Sequence, residues 1–217
     1  KASRYLKWLM DQCKVTNGKT RIVYGITPSS SLKEITLDHL EGYKGSQPVR
    51  ISNSAARHLQ LDVFGEVILG SDSLYRNGGG VSDAVWSLVE HFANVVSSNW
   101  RRKDRGLWEV RGPTQHFVYS KIMCWAALDR AARLAKELGR DSKAGRWRSV
   151  AEAIKTEILQ RGWSQSEQAF VQRYDSDTLD ASNLIIPFIG FLPPDDPRVS
   201  STINAVCCSA RCPRVFM

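Results

Sequence analysis

Residues 100–113, Trp100-Arg101-Arg102-Lys103-Asp104-Arg105-Gly106-Leu107-Trp108-Glu109-Val110-Arg111-Gly112-Pro113, set one carboxylate between the two kinds of neighbour that tune it. Glu109 directly follows Trp108 and stands shortly before Arg111. An apolar wall raises a carboxyl pKa and keeps the proton on near neutral pH, whereas a neighbouring cation pulls the pKa back down. A carboxyl balanced in this way can deliver a proton to a departing group. The same residues admit a plainer arrangement, in which Glu109 is a surface carboxylate paired with Arg111 in an ordered loop. Glycines, a proline and a run of charge mark the stretch as a loop between two periodic helical segments.

Other chemistry is sparse. His39, His58, His91 and His116 show no pair at i, i+4 or similar ligand spacing, so no histidine metal site is expected. Cys207, Cys208 and Cys212 lack a fourth ligand at finger-like spacing, and no zinc site is expected there either. Gly78-Gly79-Gly80 is punctuation rather than a phosphate cradle, because no strand precedes it and no Lys-Ser or Lys-Thr follows. Asp180 precedes an apolar run and reads more simply as a helix cap than as a second reactive carboxylate.

The elements that must position Glu109 are mostly helical. Apolar periodicity predicts helices over residues 3–13, from Asn53 or Ser54 to about 69, over 83–99, 114–138 and 143–160, and one beginning near Arg198. A further buried helix, interrupted by Pro187, is expected over 180–189. Residues 20–26 and 169–174 read as short strands. The segment from Glu34 to Ile51 has no sustained period and reads as a long loop of the kind usually kept for function. On the helix at 53–69, Asp62 and Glu66 share a face. The pattern predicts an all-α layered fold.

Composition narrows the partners. The chain has 217 residues, 42% of them hydrophobic, enough for one core of ordinary size. No run of about 18 apolar residues exists, so no membrane span or membrane partner is expected. Net charge is +8, yet the basic residues are scattered and no nucleic-acid-binding signature accompanies them. They read as a solvated face, with no nucleic-acid partner. Five cysteines, an odd number, do not make a disulfide framework, and Cys13 and Cys124 fall in apolar helical patterns. The expectation is a reducing compartment, the cytoplasm. The charged, amphipathic start lacks the apolar centre of a secretion signal and an initiator methionine, and reads as a helix entered partway through a longer protein.

Gly106-Leu107-Trp108-Glu109 and the helix after it, with Ser120-Lys121-Ile122-Met123-Cys124-Trp125, resemble glycoside hydrolase family 15, the glucoamylase and bacterial trehalase group. The resemblance extends to Leu37-Asp38-His39-Leu40-Glu41-Gly42-Tyr43-Lys44-Gly45-Ser46-Gln47-Pro48-Val49-Arg50-Ile51 and to Leu59-Gln60-Leu61-Asp62-Val63-Phe64-Gly65-Glu66. It resumes at Leu179-Asp180-Ala181-Ser182-Asn183 and at Gly190-Phe191-Leu192-Pro193-Pro194-Asp195-Asp196-Pro197-Arg198-Val199. A lone Leu-Trp-Glu is weak, but these motifs together, in the family's order, make the match specific.

The resemblance implies an (α/α)6 barrel, of which residues 1–206 supply part of the catalytic domain, and residues 207–217 an atypical tail from truncation or frame-shift. It implies hydrolysis of α-glucosidic bonds with inversion, in starch-type oligosaccharides or in trehalose, without a cofactor. Glu109 becomes the general acid. The family's general base lies beyond the point where this sequence stops, which makes the chain an inactive fragment when alone. Tyr43 and Arg50 fall in the family's loop around the terminal sugar, although Tyr43 serves equally well as loop packing. Trp108 offers its carbonyl or ring to the sugar, or else plugs the loop, and Arg111 is assigned to substrate. Fungal glucoamylases carry a second Glu after the acid, where this chain has Val110, so substrate choice stays open. The competing reading is a non-catalytic helical carbohydrate-binding or scaffold fragment.

Overall fold

The computed structural model describes residues 2–15, 23–24, 32–109 and 112–210. The strand expected over 20–26, apart from Val23 and Tyr24, lies outside the described residues, as do Arg111 and Cys212. The chain divides into two compact units, one up to Leu59 and one from Gln60 onward.

In the first unit, α1 (Ala2–Val15) buries Leu6, Leu9 and Gln12, a helical i, i+3 stripe, and Tyr5 stacks on Trp8. The segment expected as one long loop is closed at its base by two stub strands. β1 (Ile35–Thr36) pairs antiparallel with β2 (Arg50–Ile51), and the Leu37 N–H donates to the Val49 carbonyl at 2.8 Å. The helix expected from Asn53 is two elements. Asn53 accepts from the Ala55 N–H at 2.9 Å and so caps only a 3-10 turn, Ser54–Arg57, which ends where His58 turns extended at ψ 146°.

The second unit therefore opens with α2 at Asp62, running to Arg76 and burying Phe64, Val67 and Ile68, while Val63 is only half-buried. α3 (Asp83–Asn99) follows as expected, with the Ser82 hydroxyl accepting from the Val85 N–H. α4 (Val118–Glu137) starts later than expected. Gln115 and Phe117 are instead extended, bridging Asp104 and Arg173 respectively. α5 (Ala144–Arg161) leads into a hairpin of β3 (Trp163–Ser164) and β4 (Ala169–Phe170), and α6 (Pro197–Ala210) ends the described chain. The buried helix expected over 180–189 is a 3-10 turn, Ala181–Ile185, followed by further turns, since Pro187 has no N–H with which to extend a helix.

α4 is the centre of this unit. Every residue from Val118 to Leu128 is buried, the all-round pattern of a helix covered on every side, and α2 and α5 pack most extensively against it. Contacts advance in the same sense along α2 and α4. Glu66 meets Tyr119 and Gly65 meets Met123, whereas Asp72 lies further along, ion-paired with Arg133. The two helices are thus parallel, and their N-termini lie at one end with the Asp104–Gln115 bridge.

That parallel contact depends on Gly65, where a Cβ would come within 2.5 Å of the Met123 carbonyl oxygen. In an open helix Gly→Ala stabilises by about 0.5–1 kcal/mol. Here the sign reverses, and Gly65→Ala should cost about 1–3 kcal/mol through overpacking. An urea midpoint equal to or above the parent's would contradict so close an approach.

Candidate functional site

The Glu109 loop is a tight tip on a fixed stem. At the stem, the Asp104 N–H donates to the Gln115 carbonyl at 2.9 Å and the Gln115 N–H donates back at 3.0 Å. The Asp104 carboxylate accepts from the Leu61 N–H at 3.0 Å, which fastens the loop to the start of α2. Lys121, fully buried on α4, donates to the Trp100 carbonyl and, at 2.7 Å, to the Arg102 carbonyl. Arg101, Arg102 and Lys103 point outward as a solvated cluster, with the Arg101 guanidinium 4.2 Å from the centre of the buried Trp100 ring.

At the tip, the Glu109 N–H donates to the Gly106 carbonyl at 3.2 Å. Gly106 has φ +66° and backs onto Phe117, whose ring a Cβ there would meet at 2.8 Å. Glu109 itself has φ +50°, an uncommon conformation for a residue with a side chain. The tip holds the half-buried Glu109 beside Leu107 and Trp108, both exposed. Trp108, at 59% exposure, is held by its edge: indole Nε1 donates to both oxygens of the buried Asp180, at 3.1 and 3.0 Å. Asp180 also accepts from the Ser182 N–H at 2.9 Å, the capping role expected of it.

Beneath the loop lies a buried polar network. Burial, then the charge of Asp104, raises the Asp62 carboxyl to about 7. Burial also raises Asp104, against the Leu61 N–H and Lys121, and lowers the Lys121 ammonium. Tyr119 donates to Glu66 at 2.6 Å. His116 stacks on Tyr174, and burial followed by the charges of Lys121 and Arg161 lowers it to about 4, so it is neutral near pH 7. Burial pushes the Cys124 thiol up to about 12, as suits a small apolar filler.

Asp62 makes stability depend on pH. Its folded pKa exceeds the unfolded value of about 3.9, so the folded chain binds the extra proton. The associated stability is complete below about pH 4 and is lost as pH rises through about 7. His116, shifted downward, acts in the opposite sense between about 4 and 6.5, so the comparison must be differential. Asp62→Asn should therefore gain stability relative to the parent between pH 5 and pH 8, on the order of a few kcal/mol. Urea denaturation at both pH values checks this, and a difference independent of pH would contradict it.

Of the residues singled out from sequence, Trp108 and Glu109 are neighbours at the loop tip. Tyr43 and Arg50 belong to the first unit. Tyr43 is 82% exposed on a 3-10 turn, Tyr43–Gly45, with the Lys44 ammonium 5.6 Å from its ring centre, and Arg50 is ion-paired with Glu34 at 3.4 Å. The Asp62, Asp104 and Lys121 network was not anticipated. A signal for it was present: Lys121 is a lone cation inside an apolar helical run and must find acceptors, and Asp104 interrupts a basic cluster. Among the described residues no cluster of His, Cys, Asp and Glu could hold a metal ion, and no helix is long and apolar enough to cross a membrane. The described free cysteines are Cys124, Cys207 and Cys208.

Comparison with known proteins identifies the family. The family described as glycosyl hydrolases family 15 matches residues 1–211. A trehalase of Mycobacterium tuberculosis is 43% identical over 189 residues, covering 86% of this chain and 27% of its own. A trehalase of Thermoplasma volcanium is 36% identical over 205 residues, covering 94% of this chain and 33% of its own. The chain thus spans roughly a third or less of these relatives. A solved glycosidase variant in complex with glucose superposes with a TM-score of 0.64 at 16% identity, covering 94% of this chain and 50% of that one. The fold is all-α and forms part of an (α/α)6 barrel, as expected.

Proposed function

Since this chain belongs to glycosyl hydrolases family 15, we propose that it carries the general acid, Glu109, of an enzyme that hydrolyses α-glucosidic bonds with inversion, and that the substrate is trehalose. The observation that carries the acid assignment is the loop itself. Glu109 stands half-buried at a left-handed tip whose stem is fastened to α2 and α4, and a backbone held in this way supports the placement that proton delivery to a glycosidic oxygen needs. The names of the trehalase relatives support the substrate.

In the proposed reaction the protonated Glu109 carboxyl gives its proton to the glycosidic oxygen as the C1–O bond breaks. Water adds to C1 from the opposite face and yields its proton to a second carboxylate, about 6.5–9.5 Å from the first. Asp104 and Asp180, the carboxylates tied to this loop, accept from the Leu61 N–H and the Trp108 indole. The base is assigned to the remainder of the family's catalytic domain on the family resemblance alone. Tyr43, Arg50 and Arg111 are assigned to sugar recognition on the family resemblance alone. The partner is a disaccharide, and no cofactor enters the reaction.

The test uses this chain joined to the rest of a family 15 catalytic domain, with trehalose and maltose as substrates. Proton NMR of the first product should show α- and β-glucose in equal amounts from trehalose, because only one of its two α-linked units is inverted. Release of α-glucose alone would contradict inversion, and sugar binding without turnover would favour a non-catalytic module.

A further inference from the structure

An exposed tryptophan is a poor anchor, since little burial fixes the orientation of its ring. Trp108 is the residue immediately before Glu109, and what orients it is the bifurcated contact from its indole N–H to Asp180. Asp180 is itself held on a built seat. The Gln172 amide donates to it at 3.3 Å, and the Ser182 N–H caps onto it. Leu179, just before it, bridges Val171, and the buried Asn183 amide donates to the Phe170 and Val171 carbonyls at 3.2 and 2.8 Å. The link crosses 72 positions of sequence and ties the loop tip to the segment after β4.

We propose that Asp180 is a positioning residue of this site: through the Trp108 indole it fixes the Gly106–Glu109 turn and so aims the Glu109 carboxyl. This rests on the reading of Glu109 as the acid. Stem contacts hold residues 100–105 and 115–121, but the Asp180 contact holds the side chain next to the reacting one. A carboxylate serves this purpose better than a neutral group, because a charged acceptor makes the stronger, shorter bond to an N–H.

The seven tryptophans give seven indole N–H signals in a nitrogen–proton correlation spectrum of the 217-residue chain, and Trp108→Phe identifies the one from Trp108. Asp180→Ala should move the Trp108 indole signal and the Glu109 backbone amide signal together, and speed the exchange of both. Asp180→Asn keeps an oxygen acceptor and should leave the Glu109 amide nearer its original position. Trp108→Phe cuts the same link from the other side while leaving the Ser182 cap intact, so it should reproduce the Glu109 shift even if Asp180→Ala folds poorly. In the catalytic form used above, Asp180→Ala should lower kcat by about 10- to 100-fold, more than it raises KM, with most of kcat restored in Asp180→Asn. A Glu109 amide that stays in place in Asp180→Ala and Trp108→Phe overturns the proposal, as does a loss confined to KM. If Glu109→Gln is fully active, the acid reading fails by itself, and the spectrum still decides whether Asp180 fixes the turn.

Discussion

Glu109→Gln should lower the turnover number on trehalose by about 10²- to 10⁴-fold, the usual worth of general acid catalysis. Glutamine keeps the shape of the side chain and a hydrogen-bond donor, but it cannot release a proton to the leaving oxygen. KM should change little, because the lost interaction belongs to the transition state rather than to bound substrate. The left-handed turn should survive the substitution, since its fixed points are the Gly106 carbonyl, the Asp104–Gln115 bridge and the Trp108–Asp180 contact rather than the Glu109 side chain. Steady-state kinetics on the catalytic form separate the alternatives. Near-parental kcat would return Glu109 to an ordinary loop carboxylate, and an effect confined to KM would make it a binding group.

The largest expected effect on stability is at Lys121. Its ammonium is fully buried and bonds two carbonyls of the loop stem, those of Trp100 and Arg102, in the same interior as the Asp104 carboxylate. Lys121→Met fills similar space without donors. It leaves the carbonyls to find other partners, at about 1–3 kcal/mol for each that stays buried and unpaired. It also withdraws the cation that opposes the burial penalty on Asp104, and breaking such a buried charge arrangement from one side costs about 3–5 kcal/mol. The effects overlap, so a loss of about 3–5 kcal/mol and a Tm lower by roughly 10 °C are expected. Pairing Lys121→Met with Asp104→Asn should cost less than the sum of the two single losses, because the second change removes the orphaned charge. A urea midpoint unchanged by Lys121→Met would show that the loop stem does not depend on it.

Much of the fold was legible because α1, α3 and α5 carry clear periodicity, and α3 and α4 have recognisable ends. Ser82 caps α3, and Gly139, at φ +65°, follows the end of α4. The differences are local, and each has a competing cause. Asn53 has the chemistry of a helix cap, but a 3-10 turn satisfies it, and α2 begins where Leu61 is tied to Asp104. Residues 114–117 look helical from their neighbours, yet they pair as extended backbone with partners distant in sequence, which no local pattern reveals.

At the site, the adjacent Trp108 and Glu109 were legible as one local loop motif. The contact of Trp108 with Asp180 was not, since it joins a loop tip to a cap 72 residues away. The network under the loop was hidden in the same way. Asp62, Asp104 and Lys121 come from three separate segments, and only packing brings their charges into one interior.

Proton delivery by Glu109 is tested most directly by leaving-group dependence, which measures that step alone. The ratio of kcat/KM for parent and Glu109→Gln is determined on two substrates that transfer the same glucosyl group, trehalose and α-glucosyl fluoride. Fluoride departs with little need of a proton, whereas the sugar oxygen of trehalose requires one. The Glu109→Gln loss on trehalose should therefore exceed the loss on the fluoride by about tenfold or more. Equal losses on the two substrates would contradict it.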